Sequence, residues 1–218
     1  MAQRRRKTKT DNMKKFVISI GRQIGSGGKE IAEKLAGKLN IKYYDKTLLD
    51  VAARESGIDP EIFANADERE SSHFLGGLFS IHGSMADYMP GGSYIQNDKL
   101  FQIQSEAIRN LADEENCIIV GRCAEYILRD HPCMTSIFVT ADKAERIGRI
   151  MAIKGLEQEK AAEYIEKEDK KRRNYHDYYA STRWGEARSY DLCINSSLLG
   201  IDGTVEFLHT FIQSRIKE

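Results

Sequence analysis

The chain has 218 residues, of which 41% are hydrophobic and 30% charged, and its formal net charge is zero. That length and composition suit one globular domain with a sizeable core. No apolar run approaches the roughly 20 residues of a membrane helix and no signal peptide is visible, so a cytoplasmic protein with no membrane partner is expected.

Charge is unevenly placed. Residues 1–15 carry seven Lys/Arg against one acid, leaving 26 basic and 32 acidic residues in the remainder. A mildly acidic body gives no reason to expect specific nucleic-acid binding. Residues 1–13 read as a basic, disordered tail, and residues 14–218 as the folded domain. Cys117, Cys123, Cys133 and Cys193 form no C-x-x-C pair and read as reduced thiols; with five scattered histidines, no metal site is predicted.

Phe16 to Ile20 is a short apolar run, the pattern of a buried strand. The chain then breaks into a loop holding Gly21, Gly25, Gly27 and Gly28. Ile31, Leu35 and Leu39 follow at i, i+4 and i+8, one face of a helix. Strand, glycine-rich turn and helix offer free backbone N–H groups to an anion, and the helix N-terminus adds partial positive charge. A tight turn needs one or two glycines; four suit a ligand that approaches the backbone closely. The standard phosphate loop, G-x-x-x-x-G-K-[ST], fits in neither register. With Gly28-Lys29 as its Gly-Lys pair, the leading glycine falls on Gln23 and the hydroxyl residue on Glu30. Anchored on Gly25-Ser26-Gly27, the lysine position falls on Gly28.

Ile41 to Asp45 reads as a second strand, and Asp45 as either the N-cap of a helix over 46–53 or a ligand residue at a strand's carboxyl end. Residues 57–96 are irregular and glycine-punctuated, an expected acceptor-side insertion. Asn97-Asp98 caps a predicted helix running to Leu111. Asn116 to Val120 is a third strand ending in Gly121-Arg122, followed by a helix over 123–129. Met134 to Thr140 is a fourth strand, followed by a helix carrying Arg146 and Arg149. Residues 157–180 read as a very polar helix, Tyr190 to Asn195 as a fifth strand, and Val205 to Ile212 as part of a closing helix. Strands alternating with helices imply βαβ units and a parallel sheet covered on both faces.

Three strand ends would then meet at one sheet edge: the glycine loop, Asp45, and Gly121-Arg122. The polar helix adds Arg172 and Arg173. An anion cradle ringed by arginines and an acid suits phosphoryl transfer, which needs positioning and neutralisation of charge on phosphate oxygens. Each residue has a plainer reading. Arg122 can pair with Glu125 or Asp130 at a helix start. Arg172 and Arg173 can belong to a solvated charged face. Tyr175, Tyr178, Tyr179 and Trp184 can stack a base or pack a helix. Cys123 reads as a packed thiol.

Ile18 to Ala32, Tyr43-Tyr44-Asp45, Val120-Gly121-Arg122, Asp169 to Tyr175 and Tyr190 to Asn195 together resemble the cytidylate-kinase-like proteins of the P-loop nucleoside monophosphate kinase group. The resemblance implies a three-layer α/β fold of the P-loop NTPase type: a five-stranded parallel sheet of order 2-3-1-4-5, helices on both faces, and a helical lid over 155–188. It implies a kinase using ATP and Mg2+ on a small acceptor, a nucleoside monophosphate such as CMP. The alternatives are a kinase of another small metabolite, or a nucleotide-binding protein with little or no catalysis. By the same resemblance the backbone of Gly25, Ser26, Gly27, Gly28, Lys29 and Glu30 cradles the donor phosphates, and Asn195 begins the segment that touches the donor base. Asp45, Gly121 and Arg122 hold the acceptor, and Arg172 and Arg173 close over the phosphates, with Arg183 and Arg188 as outer candidates. Lys29 or Arg22 supplies the cation that the irregular loop lacks in register. Nucleotides are the expected partners, and a homodimer is left open.

Overall fold

The computed structural model describes residues 15–48 and 92–216. The expected tail, the helix over 46–53 beyond residue 48, and most of the 57–96 insertion lie outside the described residues. The chain order is β1 (Val17–Arg22), α1 (Gly28–Leu39), β2 (Lys42–Tyr44), α2 (Gly92–Glu114), β3 (Cys117–Val120), α3 (Ala124–Ile127), β4 (Met134–Thr140), α4 (Lys143–Lys154), α5 (Gln158–Tyr179), β5 (Leu192–Asn195) and α6 (Gly200–Ile216). All strand pairs are parallel, in the order β2-β3-β1-β4-β5, as the resemblance implied.

The strands are apolar on both sides because both faces are covered. Ile18 and Ile20 of β1 join Ile118, Val120, Ile137 and Val139 against Ile31 and Leu35 of α1 and Leu208 and Ile212 of α6. The alternate residues Val17, Cys117 and Ile119 pack against Ile108 and Ala112 of α2 and Ala124 and Ile127 of α3. The period of two along each strand thus divides the side chains between two helix layers. A smaller cluster, Ile150 of α4 with Ala161 and Ile165 of α5, lies beside Ile24 of the glycine loop.

Two expected boundaries move. The helix expected from Asn97 begins at Gly92; its apolar periodicity becomes visible only from Leu100, so the sequence placed the start too late. The helix expected over 123–129 shortens to Ala124–Ile127, because Arg122 and Cys123 both take left-handed backbone, φ 58° and 57°. Parallel register brings the ends of β1, β3 and β4 level, with Ile20 opposite both Val120 and Ile137. Everything that follows β1 and β3 therefore opens on the same edge.

Candidate functional site

The loop between β1 and α1 is shaped by its glycines. Gly25 and Gly27 have φ 76° and 75°, the left-handed region that side chains strain to enter. A Cβ on Gly25 would also lie 2.6 Å from the carbonyl oxygen of Arg146, a backbone atom that cannot give way. Gly27 caps α1, whose first backbone bond runs from Ile31 N to Gly27 O at 2.9 Å. The Ser26 hydroxyl is spent inside the loop: it donates to Gln23 O at 2.9 Å and accepts from Gly28 N at 3.3 Å. The N–H groups of Lys29 and Glu30 belong to the helix's first turn, where no intrahelical acceptor exists. They point out of the helix N-terminus, where anions bind.

The outer side of the loop is held by α4 and α5. Asp169 accepts from Ile24 N at 2.8 Å and pairs with Arg146, both side chains being buried. Arg146 Nε donates to Ile24 O at 2.7 Å, Arg149 to Gly25 O at 3.1 Å, and Arg172 to Arg22 O at 2.9 Å. Three arginines thus take loop and strand-end carbonyls from behind, which fixes the peptide planes that shape the cradle.

At the end of β3, Gly121, Arg122 and Cys123 are consecutively left-handed, with φ 76°, 58° and 57°. Such backbone costs on the order of 1–3 kcal/mol per non-glycine residue and clusters at functional sites. The strain aims Arg122 between two helices. Its Nε donates to Gln104 Oε1 of α2 at 2.9 Å, and its guanidinium lies 4.7 Å from the centre of the Tyr175 ring of α5. Burial raises the Cys123 thiol well above its ordinary value, so it is a packing group and not a nucleophile.

These pieces enclose one cavity of about 410 Å³, within the range of small-molecule sites. Arg22, Gly121, Arg122, Glu125, Arg172 and Tyr175 are among its walls. Burial lowers the Arg22 guanidinium to about 9, helped by the neighbouring charge of Arg172. Arg22 is only partly hidden from solvent, yet strongly desolvated; both hold if water reaches it only through the cavity. Burial also lowers Arg172. At one wall His176 is bonded through both ring nitrogens, to Glu125 at 2.8 Å and to Asp177 at 3.2 Å. Burial opposes its charged form, but the two carboxylates prevail and raise its pKa.

Of the expected site residues, Arg22, Gly121, Arg122 and Arg172 share this cavity. The side chains of five others, and of the two outer candidates, turn elsewhere. Lys29 is exposed and pairs with Asp45 at 2.8 Å, and Asp45 also accepts from Leu48 N at 3.2 Å, the N-cap geometry. Glu30 pairs with Lys34 at 2.9 Å on the outer face of α1. Arg173 is exposed and lies over the Trp184 ring. Asn195 binds Asp142 at 2.9 Å. Arg183 and Arg188 pair at the surface with Asp177 and Glu186. Five contributors were not anticipated: Asp169 and His176 on α5, Gln104 on α2, and Arg146 and Arg149 on α4. A signal for the first two existed. Ile165, Asp169, Arg172 and His176 stand at i, i+4, i+7 and i+11, one helix face, within a helix whose charge count reads as solvated.

The family model described as the cytidylate kinase-like family matches residues 17–198. No curated protein matches the chain significantly. An uncharacterized protein from Eubacterium ventriosum has a similar crystal structure, with a TM-score of 0.70 and 31% identity over 92% of this chain and 99% of that one. A shikimate kinase from Acinetobacter baumannii, solved in complex with shikimate, is similar in fold, with a TM-score of 0.50 and 10% identity over 93% of this chain and 95% of that one.

Proposed function

The chain belongs to the cytidylate kinase-like family, and from that premise we propose that it transfers the γ-phosphoryl group of ATP to a small anionic acceptor, a nucleoside monophosphate such as CMP. The observation that carries this reading is the convergence of Arg22, Arg122 and Arg172 on one cavity beside the glycine loop. Such chemistry forms one O–P bond from an acceptor oxygen and breaks another to the leaving bridging oxygen. The protein's part is to hold the two in line and to neutralise the spreading charge. The free amides at the start of α1 suit the donor phosphates, and the glycines before them let Arg146, Ile201 and Arg22 pack directly against the loop backbone. Arg122 and Arg172 offer planar forks to the acceptor's phosphate. Tyr175 gives the acceptor an aromatic wall.

Mg2+ is the usual companion of ATP in kinases. Among the described residues no group of three or more His, Cys, Asp or Glu is disposed to hold a metal ion. Glu30, where the hydroxyl residue falls if Gly28-Lys29 is the Gly-Lys pair, is paired with Lys34, and the Ser26 hydroxyl is engaged within the loop. Mg2+ would be held here chiefly by the nucleotide phosphates and water, and no role assigned to these residues depends on it.

The test is a panel assay: ATP with CMP, dCMP, UMP or shikimate, with and without Mg2+, following ADP release and the phosphorus spectrum of the product. CDP formation from CMP supports the proposal. A second reading, nucleotide binding without turnover, is favoured by Gly28 standing where the phosphate loop's lysine belongs. It gains if ATP raises the melting temperature while no acceptor yields ADP.

A further inference from the structure

We propose that Arg22, delivered from the end of β1, is the cation of the phosphate site, taking the place of the phosphate loop's lysine, and that Gly28 is a glycine because the Arg22 stem fills the space beside it. The inference deepens the kinase reading and rests on it.

The steric evidence is direct. A Cβ on Gly28, the first residue of α1, would lie 2.6 Å from Cβ and 3.1 Å from Cγ of Arg22. These atoms sit at the base of the side chain and cannot swing away. A Cβ on Gly121 would lie 2.1 Å from Nη1 of Arg22. The Arg22 stem therefore runs past the start of α1, and its guanidinium ends against the loop that follows β3. In the register anchored on Gly25-Ser26-Gly27 the phosphate loop's lysine falls on Gly28, and in this chain that position is closed to a side chain while Arg22 stands beside it. Lys29, one residue later, is turned outward to Asp45.

Charge supports the same assignment. The neighbouring arginines have partners: Arg122 has Gln104, Arg146 has Asp169, and Arg172 has the Arg22 carbonyl. Among the described residues no carboxylate pairs with Arg22. It lines the cavity with Arg122 and Arg172 nearby; burial and these like charges disfavour its own charge, and Tyr43 and Asp45 offset them only in part. A partly enclosed guanidinium facing two others is an arrangement that an anion relieves.

The experiment measures ATP and inorganic tripolyphosphate affinity by calorimetry, and phosphoryl transfer by ADP release. The variants are Arg22→Met, Arg22→Lys, Arg22→Gln, Gly28→Lys and the double variant Arg22→Gly/Gly28→Lys, with glycine at 22 since the collision begins at the Cβ of residue 22. Arg22→Met is expected to melt at or above the wild type without ligand, because an unrelieved cation is gone. It should lose about 10²–10³-fold in kcat/KM and at least tenfold in tripolyphosphate affinity. Gly28→Lys alone should fail to bind, through collision with Arg22. The double variant should recover affinity, since one cation replaces the other. Unchanged tripolyphosphate binding in Arg22→Met, or normal binding in Gly28→Lys, would overturn the assignment while leaving the kinase reading intact. Should Arg22→Met not fold, Arg22→Lys and Arg22→Gln decide: the lysine should keep more tripolyphosphate affinity than the glutamine, and equal affinity in the two contradicts the assignment. If the wild type binds neither ATP nor tripolyphosphate, the kinase reading itself fails and takes this one with it.

Discussion

Asp169 carries two duties in one carboxylate: it neutralises the buried Arg146 and accepts the N–H of Ile24. Removing it strands a buried guanidinium and an amide together. Asp169→Ala should cost about 3–5 kcal/mol in denaturant unfolding. Asp169→Asn keeps an acceptor for Ile24 and should cost less, while still weakening ATP affinity because Arg146 no longer anchors the loop. Equal stability of the two variants would mean that the charge, and not the loop contact, is what matters. His176 gives a pH signature. Its pKa is raised in the folded state, so the folded protein holds the proton more tightly than the unfolded chain. The stability it contributes is complete below about pH 6.5, the unfolded value, and is lost as pH rises through the folded one. The stability gap between wild type and His176→Asn should be widest near pH 6 and narrow toward pH 9 in urea melts.

At the scale of elements, α5 is the part that sequence reasoning described least well. Twenty-two residues with many charges read as a solvated helix, yet Ile165, Asp169, Arg172 and His176 form a buried or half-buried inward face. Composition averages over the circumference of a helix and hides such a face; only spacing reveals it. The strands were far more legible. Met134 to Thr140 was bounded to the residue, because an apolar run between breakers has few alternative readings. The choice between Lys29 and Arg22 was not legible, since a sequence register places a Cα and not the direction of its side chain. The contacts that join α4 and α5 to the loop also make a prediction. Hydrogen exchange should slow in 158–179 as well as in 21–31 when ATP binds, because both segments share the same hydrogen bonds. Protection confined to the loop would show that the two move independently.

For the molecule as a whole, stability rests on a sheet with two covered faces. Ile118, fully buried under α1 and α6, should cost about 2–5 kcal/mol when cut to alanine. Leu198, 79% exposed, should cost under about 0.5 kcal/mol. Matching losses in urea titrations would mean that the exposed leucine is covered by something else in solution. The order of the sheet came from family resemblance, whereas parallel pairing followed from alternation of strands and helices alone. The 2.6 Å approach of Gly28 to Arg22 also bears on descent. A lysine on the helix and an arginine on the strand cannot share this space, so each forbids the other. A lineage passing between the two arrangements by single substitutions would have to cross a form with both cations or with neither. Across the family, a side chain at position 28 should therefore appear only where position 22 is glycine. Exchange between the two loop types should be rare and abrupt, with both positions changing together.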